Sequence, residues 1–146
     1  MDILLVEDNS SDAYLLKEVF AVQAQEAEIH WVPDGYEALD YLCQRNRYTA
    51  AARPDMVLLD LNMPRINGFE VLKKVKDMPG IASIPIIIIT TSRDPLDHTQ
   101  CSSLGADMCL TKPHALKDYE NLVQQLMQWT RGENAIRVGI NTKTLI

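Results

Sequence analysis

Met56-Val57-Leu58-Leu59-Asp60-Leu61-Asn62-Met63-Pro64 opens with four apolar residues and ends abruptly in an acid. A short run that is apolar at every position, not at alternate ones, is the pattern of a strand covered on both faces, as in a parallel sheet between two helical layers. Asp60 then stands where that strand leaves the sheet. Upstream, Ile3-Leu4-Leu5-Val6 is a second such run and ends in Glu7-Asp8. Downstream, Pro85 to Ile89 is another, ending in the hydroxyls Thr90, Thr91 and Ser92, and Met108 to Leu110 is a shorter one, followed by Thr111-Lys112-Pro113. Glu28 to Val32 completes five strands, with Pro33-Asp34-Gly35 as its turn.

Helix-period segments separate the strands. Ala13, Leu16, Val19 and Phe20 form one apolar stripe, with Ser10, Ser11 and Asp12 as capping candidates. Ala38, Leu39, Tyr41 and Leu42 form a second, Phe69, Val71, Leu72 and Val75 a third, and Leu116, Tyr119, Leu122, Val123, Leu126 and Met127 the last. Between strands four and five, Pro95 suits a first helical turn and Gly105 a helix end. Residues 46–53 read as a loop. Strands alternating with helices predict an α/β fold with a parallel sheet. The chain divides into one domain over residues 1–131 and a C-terminal tail over 132–146 that carries no readable pattern.

Composition narrows the function classes. Of 146 residues, 47% are hydrophobic and 23% charged, which excludes disorder, and a net charge of −6 argues against non-specific nucleic-acid binding. No apolar run is long enough for a bilayer, and the start lacks a basic segment, an apolar core and a cleavage site, so a cytoplasmic protein is expected. Cys43, Cys101 and Cys109 form no CxxC pair and read as three small structural thiols of a reducing compartment. Trp31, Tyr41 and Trp129 read as core or interface filler, and His30, His98 and His114 lack ligand spacing.

In an open parallel sheet, ligands bind beyond the carboxyl ends of the strands. Those ends carry Glu7, Asp8, Asp60, Thr90, Thr91 and Lys112. Carboxylates crowded together repel, and a hard divalent cation such as Mg²⁺ or Mn²⁺ resolves that conflict. A carboxylate nucleophile, a hydroxyl and an ammonium beside such a cation suit phosphoryl transfer. Asp60, on the central strand, is the best-placed nucleophile, and Asn62 can offer its backbone carbonyl to the metal.

These residues resemble the receiver domain of two-component response regulators. The resemblance runs from about Ile3 to Trp129 and rests on Leu5-Val6-Glu7-Asp8-Asn9, Leu58 to Pro64, Asn67-Gly68-Phe69-Glu70, Pro85 to Thr90, Gly105-Ala106-Asp107 and Thr111-Lys112-Pro113. It implies a flavodoxin-like (βα)5 doubly wound sheet of strand order 2-1-3-4-5. It also implies that Asp60 is the phosphoacceptor and that Asp8 ligates the metal directly, Glu7 through water and Asn62 by its carbonyl. Thr90 would be the switch hydroxyl and Lys112 the phosphate-facing lysine, with a cis bond between Lys112 and Pro113. Cys109 departs from the pattern, since the family usually carries Tyr or Phe there as an aromatic that swings with the threonine.

The expected function is that of a single-domain response regulator that takes a phosphoryl group from a sensor histidine kinase and catalyses its own transfer and dephosphorylation. Output would go by protein–protein contact, through a homodimer built on the last helix and the tail or through a histidine phosphotransfer protein. Direct DNA binding is not expected. The loop before Arg53-Pro54, Thr90-Thr91-Ser92, Leu116-Lys117-Asp118 and Trp129 further resemble a subgroup paired with phytochrome-type kinases.

Three rival readings fit the site chemistry less well. A haloacid-dehalogenase-type phosphatase needs an acid where Asn62 stands. A flavodoxin-like FMN binder would meet Glu7-Asp8 where it needs a phosphate loop. A receiver that acts only as an unphosphorylated binding module would have no use for an intact Asp8, Asp60 and Lys112.

Overall fold

A computed structural model describes residues 1–132. The strands are β1 (Asp2–Val6), β2 (Glu28–Val32), β3 (Met56–Leu59), β4 (Ile86–Thr90) and β5 (Met108–Thr111). The helices are α1 (Ser10–Gln23), α2 (Gly35–Leu42), α3 (Gly68–Lys76), α4 (Pro95–Ser103) and α5 (Leu116–Thr130). All strand pairs are parallel and the order is β2-β1-β3-β4-β5, the expected doubly wound sheet. Successive strand residues face opposite sides, so each strand feeds both layers. Leu4, Val6, Val57, Leu59, Ile86 and Ile88 pack with α2 and α3. Ile3, Leu5, Met56, Leu58, Ile87 and Ile89 pack with α1 and α5. Two-sided burial is why these strands show no polar alternation.

Several local expectations need correction. The cap of α1 is Asn9, not Ser10, Ser11 or Asp12: Asn9 is the last extended residue, and its side chain accepts from the Asp12 N–H. Pro85 precedes β4 instead of opening it, although its carbonyl still accepts from Val57 N–H at 2.9 Å. Residues 46–53 contain a 3-10 turn, Asn46–Tyr48. Leu116, assigned to the apolar stripe of α5, is 57% exposed; the residues around it in that first turn are exposed as well, and burial begins at Tyr119.

No peptide bond among the described residues is cis, so the Lys112–Pro113 bond is trans, against what the resemblance implied. Trans is favoured even before proline, by ~0.5–1 kcal/mol, unless packing selects the alternative. Residues 133–146 of the tail lie outside the described residues.

Candidate functional site at the carboxyl edge of the sheet

Glu7, Asp60 and Lys112 each stand one step past a strand, and the hydrogen-bond ladder continues through their backbones. Glu7 N–H donates to Val32 O (3.1 Å), Asp60 N–H to Val6 O (3.1 Å) and Lys112 N–H to Thr90 O (2.6 Å). The side chains are therefore held on the rigid edge of the sheet and not on a free loop. Glu7 and Asp60 are buried while Asp8 is exposed, and carboxylate oxygens of all three lie within 4.8 Å of one another.

Lys112 closes the group from the far side of the sheet. Its Nζ lies 2.6 Å from Glu7 Oε1, 3.0 Å from Asp12 Oδ2 and 3.6 Å from Asp60 Oδ2. Beneath them, a void of about 10 Å³ is lined mostly by Leu5, Leu58, Ile89 and Tyr119 alongside the charged groups. That apolar floor dominates the electrostatics. Burial raises Glu7 to about 7, against the opposing pull of its hydrogen bond from Lys112. Burial likewise raises Asp60, with Lys112 pulling the other way and Asp8 adding to the rise. For Lys112, burial acts to lower the pKa, but Glu7, Asp60 and Asp12 outweigh it and hold the ammonium above its ordinary value.

One lysine thus faces three acids, two of them pushed toward their neutral forms, and Asp8 adds a fourth carboxylate to the group. Oxygen donors converging at this spacing, with charge left uncompensated, fit a hard divalent cation of the Mg²⁺ or Mn²⁺ type. The residues present therefore suit the metal that the chemistry of the strand ends suggested.

The remaining candidates take more specific positions. Asn62 has an exposed side chain, and its backbone N–H points to Asp60 Oδ1 at 3.3 Å, which helps orient the carboxylate. Thr90 is fully buried, and its hydroxyl accepts from Ser92 N–H at 3.1 Å. Thr91 is exposed. Cys109 is buried on β5, in the same apolar cluster as Cys101 of α4.

Two contributors escaped the sequence reading. Asp12, read as a helix cap, holds Lys112 across 100 residues of chain. Trp31, read as filler, is partly exposed and donates its indole N–H to Glu7 O at 2.7 Å, fixing the backbone that carries the acidic pair. Neither has a local signal, since both depend on which strands become neighbours.

The model of the response regulator receiver domain matches residues 3–124. The chain belongs to that family. Among curated relatives, the receiver is 38% identical over 122 residues to Response regulator Rcp1 of Synechocystis, covering 84% of this chain and 83% of that protein. The Mn²⁺-bound form of Rcp1 superposes with a TM-score of 0.80 at 36% identity, over 87% of this chain and 91% of that one. The phosphorylated cyanobacterial phytochrome response regulator RcpA gives 0.82 at 36% identity, over 88% and 91%. The receiver's five-stranded sheet and its order are those of these neighbours.

Proposed function

We propose that the receiver accepts a phosphoryl group on Asp60 from a sensor histidine kinase, with a divalent cation bound beside it. The observation that carries this is the convergence of Glu7, Asp8 and Asp60 with Lys112 at one sheet edge. Asp60 attacks the phosphorus in line, so that a P–O bond forms as the P–N bond of the donor phosphohistidine breaks. Lys112, 3.6 Å from the Asp60 carboxylate, offsets charge on the phosphoryl oxygens. Asp8, Asp60 and the Asn62 carbonyl would hold the cation directly and Glu7 through water. When bound, the cation supplies positive charge against the phosphoryl oxygens. Thr90 completes the set: its hydroxyl, which accepts from Ser92 N–H, would donate its proton to a phosphoryl oxygen and so couple Asp60 to the segment leading into α4.

Acetyl phosphate with Mg²⁺ should add one phosphoryl group to the wild type and none to Asp60→Asn, read by intact mass. Labelling that persists in the variant would remove Asp60 from the role. Multiple turnover of a phosphate monoester would instead favour the phosphatase reading, which the exposed Asn62 disfavours by offering no acid to a leaving group. The bound phosphoryl group would leave by attack of water at the same site, a self-catalysed dephosphorylation read as decay of that mass.

The kinase we infer is of phytochrome type, supported by the likeness to RcpA, a phytochrome response regulator. Docking would use α1, whose Tyr14 and Val22 are 66% and 72% exposed on a helix that begins next to the acidic pair. Output proceeds by protein contact in the cytoplasm, through a homodimer using α5 and the tail or by relay to a histidine phosphotransfer protein. No helix among the described residues is long and apolar enough to cross a membrane. Light scattering with and without acetyl phosphate tests the dimer, and a monomer in both states removes it.

A further inference from the structure

The amino ends of β1 and β2 hold a second cluster of ligand-type side chains, at the opposite edge of the sheet from Asp60. The parallel register sets Asp2 directly opposite Glu28 and Leu4 opposite His30. Because side chains alternate between faces, Asp2, Glu28 and His30 share the face on which Leu4 packs with α2. His30 Nε2 lies 2.9 Å from Asp2 Oδ1, and a carboxylate oxygen of Glu28 completes a set within 4.8 Å. Asp2 N–H donates to Asp55 Oδ2 at 2.8 Å, which fixes the backbone beneath the first acid. The His30 ring rests against the Tyr41 ring of α2, with centroids 5.9 Å apart. Like charges directly opposite each other on neighbouring strands destabilise a sheet. Asp2 and Glu28 are such a pair, and among the described residues no lysine or arginine forms an ion pair with either. Their charge reaches Tyr41: burial raises its hydroxyl pKa, and Asp2 and then Glu28 raise it further.

We propose that Asp2, Glu28 and His30 form a binding site for a divalent transition metal of the Zn²⁺ type, which clips the edge strand β2 to β1. Two carboxylates and one imidazole supply three ligands and leave the fourth tetrahedral position to water. Ligands about 2.0–2.1 Å from one zinc in a tetrahedron stand about 3.3 Å from each other. The 2.9 Å between His30 and Asp2 is already near that spacing, and the exposed Glu28 side chain closes the rest by rotation. The imidazole separates this site from the one at Asp60. Carboxylate, carbonyl and water oxygens suit Mg²⁺, whereas a ring nitrogen favours zinc. Distance separates them too, since the strand run from Asp2 to Glu7 covers about 16 Å. The ion relieves the repulsion between the two acids and holds β2 in register. Its influence on the Asp60 edge runs through Trp31, the neighbour of His30, which donates to Glu7 O. The site is independent of phosphoryl transfer at Asp60.

Zinc uptake by the full-length protein, measured by equilibrium dialysis in excess Mg²⁺ without a phosphoryl donor, provides the test. The wild type should hold one more zinc per chain than His30→Gln, and Glu28→Gln should lose the same equivalent. Zinc held by thiols is common to all three proteins and cancels in the comparison. Glu28 is exposed, so its variant keeps the fold, which far-ultraviolet circular dichroism checks. Added zinc should also raise the melting temperature of the wild type more than that of either variant. Asp8→Asn, altered only at the other edge, should keep the extra equivalent. Uptake equal to that of the wild type in either His30→Gln or Glu28→Gln would overturn the proposal. So would a wild type that takes up no zinc, or loss of the extra equivalent in Asp8→Asn, which would place the ion beside Asp60. Because the readout is bound zinc with no phosphoryl donor present, it is separate from the test of Asp60.

Discussion

Among the described residues Lys112 is the only cation set among Glu7, Asp12 and Asp60, so its removal has a consequence that can be signed. Removing one partner of a buried ion pair leaves uncompensated charge and costs ~3–5 kcal/mol. Asp12 is half-exposed, and burial already favours protonation of Glu7, so Lys112→Met should fall at the lower end of that range in urea unfolding at neutral pH. Mg²⁺ should bind the variant more tightly than the wild type, yet phosphoryl transfer from acetyl phosphate should slow. Glu7 gives a pH signature. Its folded value near 7 is above the ordinary 4.5, so the folded state holds the proton through a range where the unfolded chain has lost it. The resulting stabilisation is complete below about pH 4.5 and disappears as pH rises through 7. Metal-free protein should therefore lose stability over that window, and Glu7→Gln should flatten the slope. Equal slopes for both proteins would show that Glu7 titrates normally.

The start of α3 is built to approach the backbone of Asp60. A Cβ on Gly68 would lie 2.4 Å from Asp60 O and 2.8 Å from Leu61 Cα, both of them backbone atoms that cannot swing aside. Gly68 N–H donates to Leu61 O at 2.9 Å, tying the helix to the residue after Asp60. Asn67 and Glu70 form a reciprocal capping box that holds this start in place. Gly68→Ala should cost ~1–3 kcal/mol, the range for forcing atoms into a filled site. It should also slow phosphorylation, because the shift falls on Asp60. Asn67→Ala should cost about 1 kcal/mol from the lost cap, with a smaller effect on the site. Denaturant midpoints and acetyl phosphate labelling separate the two, and equal effects on labelling would count against the close-approach argument. The glycine was visible in the sequence as part of a motif, but the reason for it was not. That reason is a contact with Asp60, eight positions upstream.

Parallel winding gathers residues 7, 8, 12, 60 and 112 on one edge, and only the whole sheet holds them there. Metal binding should therefore stabilise the entire fold by mass action, by about 2.7 kcal/mol at a concentration 100 times the dissociation constant. The melting temperature should rise with added Mg²⁺ in the wild type and much less in Asp8→Asn. Asp8 is exposed, so that variant should otherwise fold normally. The acids, the lysine and the strand pattern were all readable in advance, since buried parallel strands require continuous apolar runs and the site begins where those runs stop.

Residue order alone determined the α/β class and put forward Glu7, Asp8, Asp60, Thr90 and Lys112 as candidates at the carboxyl edge of the sheet. Each follows from local periodicity or from a motif a few residues long. Tertiary structure decided that Asp12 shares Lys112, that Trp31 anchors Glu7 and that Lys112–Pro113 is trans. These depend on distances between segments far apart in the chain or on packing around a single bond, and neither is encoded in the spacing of residues along one strand or helix.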